Sequence, residues 1–267
     1  PFVAIPVFPS RVFRHSFICY NADSGIRTAK DFEGRRIGVP LYTMTAAVWQ
    51  RGHLQHEHGV DLSTIDWVQA ATNHAGSHGE PSVVPMVRPA RVRTDPQGRS
   101  LSELIDRGEI DAMIGTAVPH CMRHNPRVQR LFPDYRSVEK DYYARTGIFP
   151  IMHLVVIRKA LYEAHPFVAQ SLFDAFSLAK KRAVDRLRGG TLRYMLPWLS
   201  CDVAEINEVF GEDYWPYGIE ANRRTLSLGG GKYILATKIR GGDEVSEEVL
   251  TRAGRYQEVS EIGRAHV

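Results

Sequence analysis

Apolar and polar positions along the chain alternate or cluster so as to predict strands over residues 2–5, 12–20, 36–39, 66–69, 111–115 and 152–157. Between them, apolar residues recurring at three- and four-residue spacing predict helices over 45–58, 101–107, 167–187 and 203–210, with shorter ones at 137–144 and 219–226. The longest carries Val168, Leu172, Ala175, Phe176, Ala179, Ala183 and Leu187 on one stripe, and Lys180, Lys181 and Arg182 towards its end complement the helix dipole. Strands alternating with helices predict an α/β architecture with a mainly parallel sheet. Two extended crossings, 14–20 and 153–157, are each flanked by Pro or Gly and bracket one full set of strands and helices. They predict hinge strands with a cleft between two lobes. Residues 1–13 would then be the end of a first lobe, 14–158 the second, and 159–226 the helices that return to the first.

One stretch ties this pattern to chemistry. In Gly-Arg-Arg-Ile-Gly-Val-Pro-Leu-Tyr-Thr-Met-Thr-Ala-Ala-Val-Trp, residues 34–49, a short apolar strand closed by Pro40 runs directly into a helix that Thr43 or Thr45 can cap. Such a helix start offers backbone N–H groups and a positive dipole end to an anion. In open α/β sheets ligands sit at the carboxyl ends of strands. The turn Tyr42, Thr43, Met44, Thr45 and the pair Gly115, Thr116 fall there, which makes them candidate ligand-binding residues.

Composition narrows the ligand. The 267 residues are 43% hydrophobic, enough to bury a sizeable core. No apolar run has the roughly 18 to 20 residues of a membrane span. The formal charge of +4 is spread among acidic residues, without the basic, aromatic-studded face that nucleic acid requires, so a small anion fits better. Three cysteines, far apart, write neither a disulfide framework nor a zinc knuckle and fit a reducing compartment. The chain opens on proline inside a strand pattern, so residues are expected to precede it. Residues 72–98, rich in Gly, Pro, Ser and His, are expected to form a surface excursion. The tail from 227 lacks any sustained period, and its last seven residues back-translate to a common sequencing-adapter sequence; it is expected to be non-native.

Arg11-Val-Phe-Arg-His15 brings two guanidinium groups and an imidazole to the first crossing. As a strand it would put Arg11, Phe13 and His15 on one face and Arg14 on the other. Arg11 or Arg14 could grip a carboxylate with paired donors, or stand solvated at a strand end. His153 heads the apolar run 154–157 and is expected to be partly desolvated, hence near-neutral and fit to move a proton. His15 alone reads more readily as structural. His53, His56 and His58 read as the solvated face of one helix, without an acidic partner at zinc-hydrolase spacing, and His120 and His124 beside Cys121 are equally ambiguous. Tyr214-Trp-Pro-Tyr-Gly218 could line a ring pocket or simply pack. Nucleophile elbow, phosphate loop and dinucleotide fingerprint are all missing.

Several segments together resemble the 4,5-dihydroxyphthalate decarboxylase family, itself built like the type 2 periplasmic solute-binding proteins. They are residues 4–16, 38–49, 131–135, 141–153 and 214–223. The resemblance implies loss of one carboxylate from a dihydroxylated phthalate to give protocatechuate, in a two-lobed fold whose first lobe is truncated here. It implies a carboxy-lyase of aromatic-compound degradation that requires no cofactor, leaves a divalent metal open, and takes a small anionic aromatic substrate. Homo-oligomerisation is left open and a cytoplasmic location is expected. Arg11 or Arg14 with the 43–45 helix start would clamp carboxylates, His15 or His153 would deliver a proton, and Trp49 would supply an apolar wall. The rival reading is the solute-binding protein of an ABC-type transporter for an aromatic or heteroaromatic acid, periplasmic rather than cytoplasmic. Fold analogy alone does not separate the two.

Overall fold

The computed structural model describes residues 2–76, 90–190 and 194–227. The tail and the centre of the 72–98 excursion lie outside the described residues. The architecture is mixed α/β. Strands β1 (Phe2–Arg11), β2 (Cys19–Asn21), β3 (Arg36–Val39), β4 (Asp66–Gln69), β5 (Arg91–Thr94), β6 (Ala112–Met113), β7 (Val128–Arg130) and β8 (Ile151–Arg158) form two sheets. Helices are α1 (Thr45–His56), α2 (Leu101–Asp106), α3 (Tyr135–Thr146), α4 (Lys159–Ala164), α5 (Phe167–Arg188), α6 (Leu199–Phe210) and α7 (Arg223–Ser227).

The larger sheet has the order β5-β4-β3-β6-β2-β7. Its strands are parallel except β2, which runs antiparallel to both β6 and β7. One core holds Ile37, Val39, Ala47, Leu54 and Trp67, and a second holds Val68, Leu101, Leu104, Ile105 and Met113. Gly38 is what lets α2 settle on β3. A Cβ there would stand 2.7 Å from Ile110 Cδ1 and 2.9 Å from Leu101 Cδ2. Helix α2 opens on a capping box in which Ser100 and Glu103 satisfy each other's backbone N–H groups.

The second sheet is the pair β1–β8, antiparallel, with Phe2 opposite Arg158 and Arg11 opposite Ile151. β8 contains the expected crossing 153–157, but its partner is not the expected crossing 14–20: β1, which contains the strand expected over 2–5, pairs with it instead. β1 continues to Arg11, and residues 12–18, expected to be strand, are instead a connection containing one 3₁₀ turn, His15–Phe17. Facing rules for a strand therefore do not apply to Phe13, Arg14 and His15. Three more elements escaped the pattern, among them the short helix α4. β5 adds a parallel strand to β4 within the supposed excursion, and β7 is too short to show a period. On α5, which lies against β1, the stripe residues Val168, Leu172, Phe176 and Leu187 are half-buried while Ala175, Ala179 and Ala183 are exposed, as are Phe167 and Leu178 off the stripe. The Tyr214–Gly218 run packs structurally, since Trp215 Nε1 donates to the Phe8 carbonyl at 2.8 Å and Gly218 N–H to the Pro6 carbonyl at 2.9 Å. Among the described residues no helix is long and apolar enough to cross a membrane.

Candidate active site

The reversed strand β2 decides where the site forms. Because Cys19 pairs with Met113 of β6 and Arg130 of β7, β2 begins where those strands end. The connection 12–18 thus enters the sheet at its carboxyl edge, beside the loops that follow β3 and β6.

On that edge the loop 40–44 is held rigidly and leaves its donors free. Tyr42 N–H donates to Gln69 Oε1 at 2.9 Å, and Arg51 Nη1 donates to the Tyr42 carbonyl. The Arg51 guanidinium also stacks 3.7 Å from the centroid of the Tyr42 ring. The N-cap of α1 is Met44, whose side chain accepts nothing, so neither Thr43 nor Thr45 caps the helix as expected. Among the described residues, the amides of Thr43, Thr45, Ala46 and Ala47 and the Thr43 hydroxyl carry no hydrogen bond. An uncapped helix start of this kind favours an anion by its N–H groups and by the dipole. Gly115 sits against the same loop, for a Cβ there would lie 3.1 Å from Pro40 Cγ. Thr116 beside it is exposed.

Both expected arginines are buried, so the solvated alternative fails for each. Their surroundings differ. Arg11, 4% exposed, spends its donors on the Phe149 carbonyl at 3.3 Å, the Pro216 carbonyl at 2.9 Å and Asn222 Oδ1. It is a structural tie between β1 and the returning chain, and burial brings its pKa down to about 10. Arg14, 7% exposed, uses only Nε, on the Met152 sulfur at 3.3 Å. Its two terminal nitrogens have no protein partner among the described residues, no carboxylate pairs with it, and burial lowers its pKa. Of the two, Arg14 has donors left for a ligand. Arg51 is a third guanidinium without a carboxylate partner among the described residues, likewise lowered by burial. Sequence reasoning missed it because a helical arginine ordinarily reads as a solvated charge.

The histidines redistribute. His15 is 2% exposed, with Nδ1 3.5 Å from Glu139 Oε1 of α3, and its own amide donates to the same oxygen at 3.2 Å. His53 is buried and not on a solvated face. Its ring centroid lies 4.5 Å from that of His15 and 4.7 Å from that of Tyr142. His56 is exposed, as expected, and His58 lies past the end of α1. His153 is exposed on β8, which corrects the expected desolvation: side chains alternate along this strand, and burial falls on Met152 instead. Trp49 is core and not an open wall, packed with Tyr142, Ile148 and Met152, with Nε1 donating to the Ile151 carbonyl at 3.0 Å. Among the described residues no three His, Cys, Asp or Glu side chains gather as a metal site.

Burial holds His53 well below the ordinary imidazole value of 6.5, with His15 and His58 adding to the shift. The unfolded chain binds a proton there once pH drops through about 6.5 and the folded chain does not. Stability therefore rises with pH and drains away below that value, by up to about 1.4 kcal/mol per pH unit for this one group. Urea unfolding at a series of pH values should show the slope, and His53→Phe should flatten it. An unchanged slope would place the titrating group elsewhere.

No family model matches the chain. A 4,5-dihydroxyphthalate decarboxylase of Comamonas testosteroni is 38% identical over 233 residues, 85% of this chain and 69% of that protein. A second, from Pseudomonas putida, is 39% identical over 144 residues, 54% of this chain and 55% of that protein. Among solved structures, the periplasmic sulfonate-binding protein SsuA from Methylobacillus flagellatus KT aligns over 86% of this chain and 61% of its own. Its TM-score of 0.36 and 12% identity are too low for that likeness to bear weight. The extent and identity of the first match establish that the chain belongs to the 4,5-dihydroxyphthalate decarboxylase family.

Proposed function

We propose that the chain removes one carboxylate, without oxidation, from a 4,5-dihydroxyphthalate-type aromatic dicarboxylate. Support comes from the family and from one observation above all. Arg14, a buried guanidinium with no carboxylate partner among the described residues, lies on the connection that enters the larger sheet at the edge where α1 also starts uncapped, and an imidazole, His15, follows it in the chain.

The chemistry assigns work to each group. In such a substrate each hydroxyl is para to a carboxylate. Loss of the phenolic proton sends an electron pair through the ring to the carbon bearing that carboxylate. That carbon takes a proton and becomes tetrahedral; its bond to the carboxylate then breaks, CO₂ leaves, and the electron pair restores the aromatic phenolate. Atoms and charge balance with one proton consumed at carbon. Arg14 and the α1 amides would hold the two adjacent carboxylates, with Arg51 and Gln69 fixing the loop that presents those amides. His15, oriented by Glu139, would move the proton.

Incubating the chain with 4,5-dihydroxyphthalate and following CO₂ release together with ring absorbance tests this reading. Turnover to a monocarboxylate is the expected result. Saturable binding without CO₂ would instead make the chain a binder.

A further inference from the structure

The groups around His15 form a closed set drawn from three elements. The ring lies between Glu139 on one side, 3.5 Å from Nδ1, and His53 on the other, 4.5 Å between centroids at an interplanar angle of 36°. Tyr142 stands 5.6 Å from His15 and 4.7 Å from His53, and Phe132 is 5.6 Å from His15. The titratable groups facing the pair are Glu139 and Tyr142 from α3 and His58 just beyond α1, while Arg14 precedes His15 in the chain with its guanidinium against Met152. Beyond His58 lies the Glu57–Arg145 ion pair.

Two imidazoles tilted against each other at that distance, both buried, cannot both carry charge, because little water remains to screen them. The carboxylate stands against His15, while His53 faces aromatic rings. We propose that His15 and His53 act as one unit holding a single proton, which is carried on His15, with His53 as the positioning residue that fixes the His15 ring and stays neutral. The inference rests on the decarboxylase reading for its use: the proton so held is the one delivered to the ring carbon. Burial and the His15 charge together keep His53 from competing for it.

The pair can be tested without turnover. In the full chain labelled at histidine ring nitrogens, NMR titration should show a single protonation for the pair, on the His15 ring, while His53 stays neutral. In His15→Gln the midpoint of His53 should move upward, because the neighbouring charge has gone. Independent protonation of both rings in the parent chain, or a His53 midpoint unmoved in His15→Gln, overturns the proposal. Should His15→Gln fail to fold, Glu139→Gln serves: with the carboxylate gone the proton should leave His15 at lower pH than in the parent chain, and an unchanged His15 titration overturns the assignment. In kinetics, His53→Phe should lower kcat about tenfold and shift the acid limb of its pH profile, with KM within about threefold. His53→Gln, which keeps a polar edge but no basic nitrogen, should not restore the profile. A chain that couples the two rings yet releases no CO₂ would refute the decarboxylase reading and leave the coupling standing. Turnover with uncoupled rings would do the reverse.

Discussion

Replacing Arg14 by Met should lower kcat/KM for 4,5-dihydroxyphthalate by roughly 100- to 1000-fold, about 3 to 4 kcal/mol of transition-state stabilisation. The size follows from the environment. Arg14 is 7% exposed and among the described residues pairs with no carboxylate, so a bound carboxylate would meet nearly its whole attraction in a poorly screened site. Met keeps the stem that packs near Phe17, whose ring centre lies 5.5 Å from the guanidinium carbon, so the fold should persist. Binding of phthalate, which lacks the hydroxyls and cannot react by this route, gives the second readout. It should weaken by a similar factor, while Arg14→Lys keeps the charge and loses the fork, giving an intermediate value. Equal affinity in parent and Met variant would remove Arg14 from the carboxylate site.

Asn222→Leu should destabilise the fold by about 3 kcal/mol, read as a lowered urea midpoint with little change in slope. Asn222, 2% exposed, accepts from Arg11 and donates to the Pro216 carbonyl at 2.9 Å and the Gly218 carbonyl at 2.7 Å. Leucine would leave the Gly218 carbonyl and part of a buried charge unanswered, the Pro216 carbonyl keeping its bond from Arg11. Arg11 already carries the strain of burial in its lowered pKa of about 10. Adding Arg11→Met to the leucine variant should therefore recover part of the loss, a non-additivity expected of groups in one network. Strict additivity would mean that the two residues are not energetically linked.

The strands β3 and β4 and the start of α1 were legible residue by residue, because Val, Ile and Trp runs bounded by Gly, Pro and Asp leave few alternatives. The first crossing was not. Residues 12–18 have the alternation of a strand, yet they must turn to enter the larger sheet, and the hydrogen bond from Arg130 Nε to the Ser16 carbonyl at 3.1 Å holds that bend. Nothing local records a partner 114 residues away. His53 failed for a similar reason. Three histidines close together read as polar surface, whereas burial of the first depends on α3 lying across α1. His153 erred the other way, since an apolar sequence neighbourhood does not desolvate the side of a strand that faces outward. The turn into α1 was placed from its residues, but its lack of a cap appears only once Met44, between the two threonines, takes the N-cap position.

Arg14 and His15 are consecutive residues on the short run into the backward strand β2, so a single backbone segment carries both the charge that would seize the substrate and the group that would transform it. Covalent geometry welds those two duties together, and neither can be relocated without dragging the other. Any natural or engineered drift towards bulkier or differently substituted acids would have to be written on the opposite bank, in the Tyr42–Met44 turn and around Gly115, where side chains can change while the reactive pair stays put.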